Sequence, residues 1–180
     1  GPVGMDKSGI VRGVFMGRLK RAGLPKMAGQ LFPIDCRIVE AEPLEEMLDM
    51  FASRLRAESP QLSQLLLLEH AERLSDASVE RLSAWLESSS SQCLAAATSG
   101  CRADELASRG PAWGHLFSRL ATLEVVVPPL SQRRQDIAPV AMHLLAVACK
   151  RKQRAQLSFT PETLQLITAF PWPENYRQLS

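Results

Sequence analysis

Leu65-Leu66-Leu67-Leu68-Glu69-His70 is an unbroken aliphatic run that stops at a charged pair. A strand covered on both faces reads this way, because both its sides must be apolar, whereas a strand with one wet face alternates. Before it, Pro43 is a good first helical residue, and Leu44, Met47, Leu48, Phe51 and Leu55 follow at helical spacing. After it, Asp76 or Ser78 can cap a helix bearing Val79, Leu82 and Leu86, and Cys93 to Ala97 is a second apolar run of strand length. Further out, Val11, Val14, Phe15, Leu19 and Ala22 share a helical face, and Leu31 to Val39 reads as a strand with its ends. Gly114 to Leu120 is a helix or turn, and Leu123 to Val127, β-branched and stopped by Pro128-Pro129, reads as a fourth strand.

Helices alternating with buried strands predict an α/β fold with a parallel sheet, over residues 1–130, with function at the strand ends. Residues 131–180 read as an all-helical segment. Asp136 opens a helix with Ile137, Val140, Ala141, Leu144, Leu145 and Ala148 on one side, and Lys150-Arg151-Lys152 at its end suits the helix dipole. Thr160-Pro161-Glu162 supplies a cap, a first-turn proline and an acid for a last helix bearing Leu164, Ile167 and Phe170.

Composition excludes several classes of function. Of 180 residues, 46% are hydrophobic and 22% charged, with Lys+Arg 21 against Asp+Glu 19, the balance of an ordinary globular domain. A net charge of +2 gives no general attraction to nucleic acid or to an anionic membrane. The longest apolar run, Leu144 to Cys149, is far short of the roughly 20 residues that span a bilayer. The first residues lack the basic and apolar regions of a signal peptide, so a cytoplasmic location is expected. Cys36, Cys93, Cys101 and Cys149 form no C-x-x-C pair and are expected to be reduced thiols, and scattered His70, His115 and His143 predict no metal site.

Two longer motifs are more specific. Pro128-Pro129-Leu130 with Arg133 and Asp136-Ile137, and then Trp172-Pro173-Glu174-Asn175-Tyr176-Arg177-Gln178-Leu179, resemble the PPLRxR..DI and WPGNVREL patterns that close the AAA+ domain of bacterial sigma-54-dependent transcriptional activators. Ala96-Ala97-Thr98-Ser99 resembles that family's sensor strand, and Phe32-Pro33-Ile34-Asp35-Cys36 its second strand. The resemblance implies a P-loop NTPase-like core followed by a small helical lid, truncated here at its C-terminal end. It also implies an ATP-driven ring that remodels RNA polymerase.

Carried over residue by residue, the resemblance implies a degenerate member. A phosphate loop needs glycines, a lysine for the β/γ-phosphates and a Ser/Thr for magnesium. Ser8-Gly9-Ile10-Val11-Arg12-Gly13 aligns with the family's SGTGKE, so that Ser8, Gly9 and Arg12 would bind nucleotide with Arg12 replacing the lysine. A second register, Gly4 to Gly9, puts Ile10 at the lysine. The strand that should precede this loop is reduced to a few residues around Val3 and Met5. In the Walker B motif Glu69 and His70 take the positions of the Asp-Glu pair; shifted by one, Glu69 becomes the catalytic glutamate and Leu68 the lost Asp. Arg119 keeps the second arginine of the trans-acting motif, where Trp113 replaces the first. Ser99 stands for the sensor Asn, and Arg177 for the nucleotide-sensing arginine. Residues 37–64 contain no glycine, so the GAFTGA loop that engages sigma-54 is missing.

The expectation is therefore an interaction or oligomerisation module of a transcriptional regulator with lost or weak ATPase activity. Its partners would be further copies of itself or another regulator protein, and this segment would contact neither DNA, membrane nor sigma-54. No cofactor is required under this reading; ATP or ADP with magnesium would bind weakly at most. The alternative is a slow ATPase or a nucleotide-binding switch.

Overall fold

The computed structural model describes residues 1–24, 29–57, 63–89 and 94–180. It contains two compact units, Lys7–Val125 and a second formed by Gly1–Asp6 with Val126–Ser180. The division expected after residue 130 differs from these units in that Gly1–Asp6 and residues 126–130 belong with the helical segment.

In the first unit, strands β1 (Gly29–Asp35), β2 (Ser63–Glu69) and β3 (Leu94–Ala97) form a parallel sheet in that order. The register sets Leu31 beside Leu65 and Leu65 beside Leu94. Because successive side chains point to opposite faces, Leu31, Leu65, Leu94 and Ala96 line one side and Phe32, Ile34, Leu66, Leu68, Ala95 and Ala97 the other. On the first side lies α1 (Lys7–Arg21), inserting Phe15 and Leu19. On the second lie α2 (Ala41–Ala57), α3 (Asp76–Ser89), α4 (Ala103–Ala107) and α5 (Pro111–Leu120), which supply Leu44, Leu48, Phe51, Val79, Leu82, Leu106, Trp113, Leu116 and Phe117. The uniform Leu65–Leu68 run is thus the strand with helices on both sides, as its pattern requires.

Several expectations shift. The first strand ends at Asp35 rather than Val39, because the Ile38 N–H turns back to the Asp35 carbonyl at 3.2 Å. Pro33 sits within β1, at an edge of the sheet among the described residues, where a missing donor is tolerated. The α3 N-terminus is served by Ser75, whose Oγ accepts the Ser78 N–H at 3.2 Å, rather than by Asp76 or Ser78. Leu123 to Val127 is not a strand: Leu123, Val125 and Val126 stand exposed with no ladder beside them. β-branching favours a pleated surface only where a neighbouring strand exists to complete it, and no described strand lies there. Cys93 lies outside the described residues, while Cys36, Cys101 and Cys149 are free thiols. Among the described residues no helix is long and apolar enough to cross a membrane.

The second unit is helical. Short 3-10 turns at Leu130–Gln132 and Arg134–Asp136 lead into α6 (Ile137–Arg151), followed by α7 (Pro161–Ala169) and α8 (Asn175–Leu179). Thr160 caps α7 as expected, its hydroxyl accepting the Thr163 N–H at 3.3 Å, with Pro161 in the first turn. Asp136 precedes α6 but makes no side-chain cap bond. Trp172 donates its indole N–H to the Ile167 carbonyl at 2.7 Å and meets Phe170 edge-on, closing α7 onto the segment before α8.

Candidate functional site at the strand ends

A parallel sheet gathers functional side chains at the carboxyl ends of its strands. In this sheet those ends bring Asp35, Glu69, His70, Thr98 and Ser99 to one edge, and α1 supplies Lys7 and Arg12 to the same region. The Arg12 guanidinium lies 3.8 Å from Glu69 Oε1. The Lys7 ammonium donates to the Ser99 carbonyl oxygen at 2.9 Å. Burial lowers the Lys7 pKa, and the negative charge of Glu72 only partly counters it.

His70 has left-handed backbone, φ 59° and ψ 47°, at the step from β2 into a 3-10 turn at Ala71–Arg73. Its N–H approaches Thr98 Oγ1 at 3.4 Å, and its Nδ1 lies 3.7 Å from Glu72 Oε1. Glu72 is the anion at the centre of this group. Burial alone would raise its pKa, but N–H groups of Glu72 and Gly100 and the Ser99 hydroxyl outweigh that and hold it below the ordinary carboxylate value. Arg109 closes the far side, donating to the Glu72 carbonyl oxygen at 2.8 Å while stacking over the Trp113 ring at 4.8 Å.

At the end of β1, Arg37 grips Asp35 through Nε to Oδ1 at 3.0 Å and Nη2 to Oδ2 at 2.6 Å. This fork is the main reason the Asp35 pKa falls to about 2. A carboxyl depressed in the folded state stabilises it above the ordinary value of 3.8, and the contribution is lost as pH falls through about 2. An acid titration followed by circular dichroism is expected to show Asp35→Asn flattening the stability loss between those values, with no change near neutrality.

The structure brings Ser8, Arg12, Glu69, His70 and Ser99 into the first unit, but not as the sequence alignment arranged them. Ser8-Gly9-Ile10-Val11-Arg12-Gly13 is helical, not a phosphate loop. Beyond the first turn of a helix each N–H is spent on the carbonyl four residues back, so Val11, Arg12 and Gly13, which lie beyond the first turn of α1, offer no N–H to an anion. Arg12, in the second turn of α1, neutralises Glu69 instead of crowning a loop. The overlooked cation is Lys7. Gly1-Pro2-Val3-Gly4-Met5-Asp6-Lys7-Ser8 fits the G-x-x-x-x-G-K-[ST] spacing at every fixed position except Asp6, which stands at the second glycine. The signal was available: a Lys-Ser pair directly before an apolar-periodic helix. Arg119 is exposed in the last turn of α5, with no ion pair among the described residues. Arg177 belongs to the other unit, exposed in α8, where its N–H donates to the Gly4 carbonyl oxygen at 2.9 Å.

These residues do not fit a hydrolytic magnesium–nucleotide site. Glu69 is engaged by a cation, the position after it is an imidazole, Lys7 is turned onto a carbonyl, and Asp6 would set a negative charge where a phosphate loop has bare backbone. Among the described residues no cluster of His, Cys, Asp or Glu has the makings of a metal site.

Comparison with known proteins fixes the fold. Residues 131–180 match the AAA+ ATPase lid domain. Over 65 residues the chain is 40% identical to the regulatory protein AtoC of Escherichia coli strain K12, and over 64 residues 41% identical to the DNA-binding transcriptional regulator NtrC of Klebsiella pneumoniae. Each match covers 36% of this chain and 14% of the relative, so the chain spans a small part of those proteins. A crystal structure of NtrX from Brucella abortus superposes with a TM-score of 0.72 at 16% identity, covering 99% of this chain and 42% of that one. The chain has an AAA+ fold ending in an AAA+ lid.

Proposed function

We propose that this AAA+ domain, of the kind carried by sigma-54-dependent transcriptional regulators, serves its regulator as a cytoplasmic interaction and oligomerisation module and does not turn over ATP. The observation that carries this reading is His70. In the register that sets Glu69 at the Asp position, it occupies the place where the water-polarising carboxylate of a working site would stand, in a left-handed backbone, with its Nδ1 3.7 Å from Glu72 Oε1. An imidazole so placed cannot supply the anionic base that orients an attacking water. The Arg12–Glu69 contact and the Lys7–Ser99 bond support the same conclusion, since each commits a charged group that hydrolysis would need free.

With no hydrolytic site and no glycine in residues 37–64 to build a sigma-54-contacting loop, the remaining assets are surfaces. The partner is a further copy or another regulator protein. The test is phosphate release and calorimetric titration with ATP and magnesium. No release above background is expected, and Lys7→Ala and Glu69→Ala are expected to change nothing. Steady release that Lys7→Ala or Glu69→Ala abolishes overturns the proposal.

A further inference from the structure

The outward faces of α1 and α2 carry opposite charge, and neither is answered within the unit. On α1, Phe15 and Leu19 are buried against the sheet, which leaves Ile10, Gly13, Val14 and Arg21 on the outer side, with Arg18 and Lys20 exposed beside them in the last turn. No acidic residue occurs in this helix. Arg18, Lys20 and Arg21 make no ion pair among the described residues. A Cβ built on Gly13 or Gly17 meets nothing within 4 Å, so the backbone there is bare and allows close approach. Val14 and Ile10 are exposed beside it.

On α2, Leu44, Leu48 and Phe51 are buried, and Glu42, Glu46, Asp49 and Met50 face out. Glu42, Glu46 and Asp49 likewise have no ion pair among the described residues; the neighbouring Glu45 is already held by Arg81. The two helices lie on opposite faces of the sheet, so these stripes cannot meet within one copy.

We infer that the outer face of α1 in one copy docks antiparallel on the outer face of α2 in the next. The periodicities match: Val14, Arg18 and Arg21 recur at intervals of one helical turn, as do Met50, Glu46 and Glu42 read in the opposite direction. Val14 then covers Met50, Arg18 meets Glu46 and Arg21 meets Glu42, while the bare backbone at Gly13 and Gly17 lets the helices come close. Each copy presents one surface of each kind, so the contact is heterologous and propagates from copy to copy. This deepens the oligomerisation part of the proposed function and rests on it.

Charge reversal tests the pairing. Sedimentation of the wild-type chain is expected to show mass rising with concentration at low ionic strength and falling toward the monomer in about 0.5 M salt, where surface charges are screened. Arg18→Glu with Arg21→Glu, and separately Glu42→Lys with Glu46→Lys, are each expected to be monomeric alone. Mixed in equal amounts they are expected to assemble, because the acidic α1 of one fits the basic α2 of the other. Circular dichroism verifies folding; should a reversed chain fail to fold, Arg18→Gln with Arg21→Gln replaces it. A monomeric wild type at high micromolar concentration in low salt, assembly indifferent to both reversals, or a mixture that stays monomeric overturns the inference. Phosphate release is measured separately, so a working ATPase would sink the proposed function without bearing on this contact, and assembly indifferent to charge would sink the contact alone.

Discussion

Asn175→Ala is expected to cost the helical unit about 1–3 kcal/mol, chiefly from the buried Leu130 N–H left without a partner, with a smaller loss at the carbonyl of exposed Val3. The Asn175 side chain is buried, accepting the Leu130 N–H at Oδ1 at 2.9 Å and donating from Nδ2 to the Val3 carbonyl oxygen at 2.9 Å. One amide thus ties the start of the chain, the Pro128-Pro129 turn and α8 together. Alanine supplies neither bond and must adopt the left-handed backbone, φ 54°, that asparagine tolerates better than most residues. Asn175→Asp keeps the acceptor and loses the donor, so it is expected to fall between the two. Gly4→Ala attacks the same node from the other side. Gly4 has φ +77°, and an added Cβ would come 1.9 Å from the Glu174 carbonyl oxygen, so the strand of backbone holding the Arg177 N–H must move. Thermal melts give the cost, and amide exchange at Leu130 and Arg177 gives its location. A loss under about 1 kcal/mol, or unchanged exchange at both amides, would show that the clasp is incidental.

The lid was legible because its signals are local. Thr160-Pro161-Glu162 specifies a helix start through bonds that span three residues, and the Trp172–Leu179 motif is contiguous. The bond that makes Asn175 important was not legible, since its partner Val3 lies 172 residues away and no pattern near either residue announces the pair. The same distinction separates the strands. Leu65–Leu68 is apolar on every position because layers cover both its sides, a property of the sequence itself. Leu123–Val127 has equal propensity but no described neighbour to pair with, which no window of sequence can reveal.

The candidate site divides in the same way. Glu69, His70 and Ser99 are legible as strand-end residues because they stand at or just past the ends of two apolar runs that form β2 and β3. Gly9 and Gly13 point to a loop in the sequence, yet both lie inside α1, and the helix begins at Lys7. Glu72, which gathers His70, Ser99 and the Lys7 charge around it, is not legible in the sequence because it sits three residues past the strand within a turn. Its role comes from converging N–H groups rather than from a motif.

Leu66→Ala should be the most damaging single truncation in the sheet, at about 3–5 kcal/mol, the range for deleting a fully buried leucine whose surroundings cannot collapse. Leu66 is wholly buried in the middle strand, between Phe32 and Ala95, facing the layer that contains Leu48, Phe51 and Leu82. Rigid neighbours on both sides keep the cavity open. Against a total stability of about 5–15 kcal/mol, such a loss brings the unit close to its unfolding threshold at physiological temperature. Val125→Ala is the informative contrast. Val125 is β-branched and stands in the segment that reads as a strand, but its 67% exposure predicts a change within about 0.5 kcal/mol. Chemical denaturation of the two variants compares them directly. A cost above about 1 kcal/mol for Val125→Ala would mean that this segment is paired in solution, and that the sheet continues past β3 toward it. A near-neutral result beside a large loss at Leu66 would mean that three strands carry the core, because truncation costs free energy only where atoms on every side have already closed around the methyl groups removed.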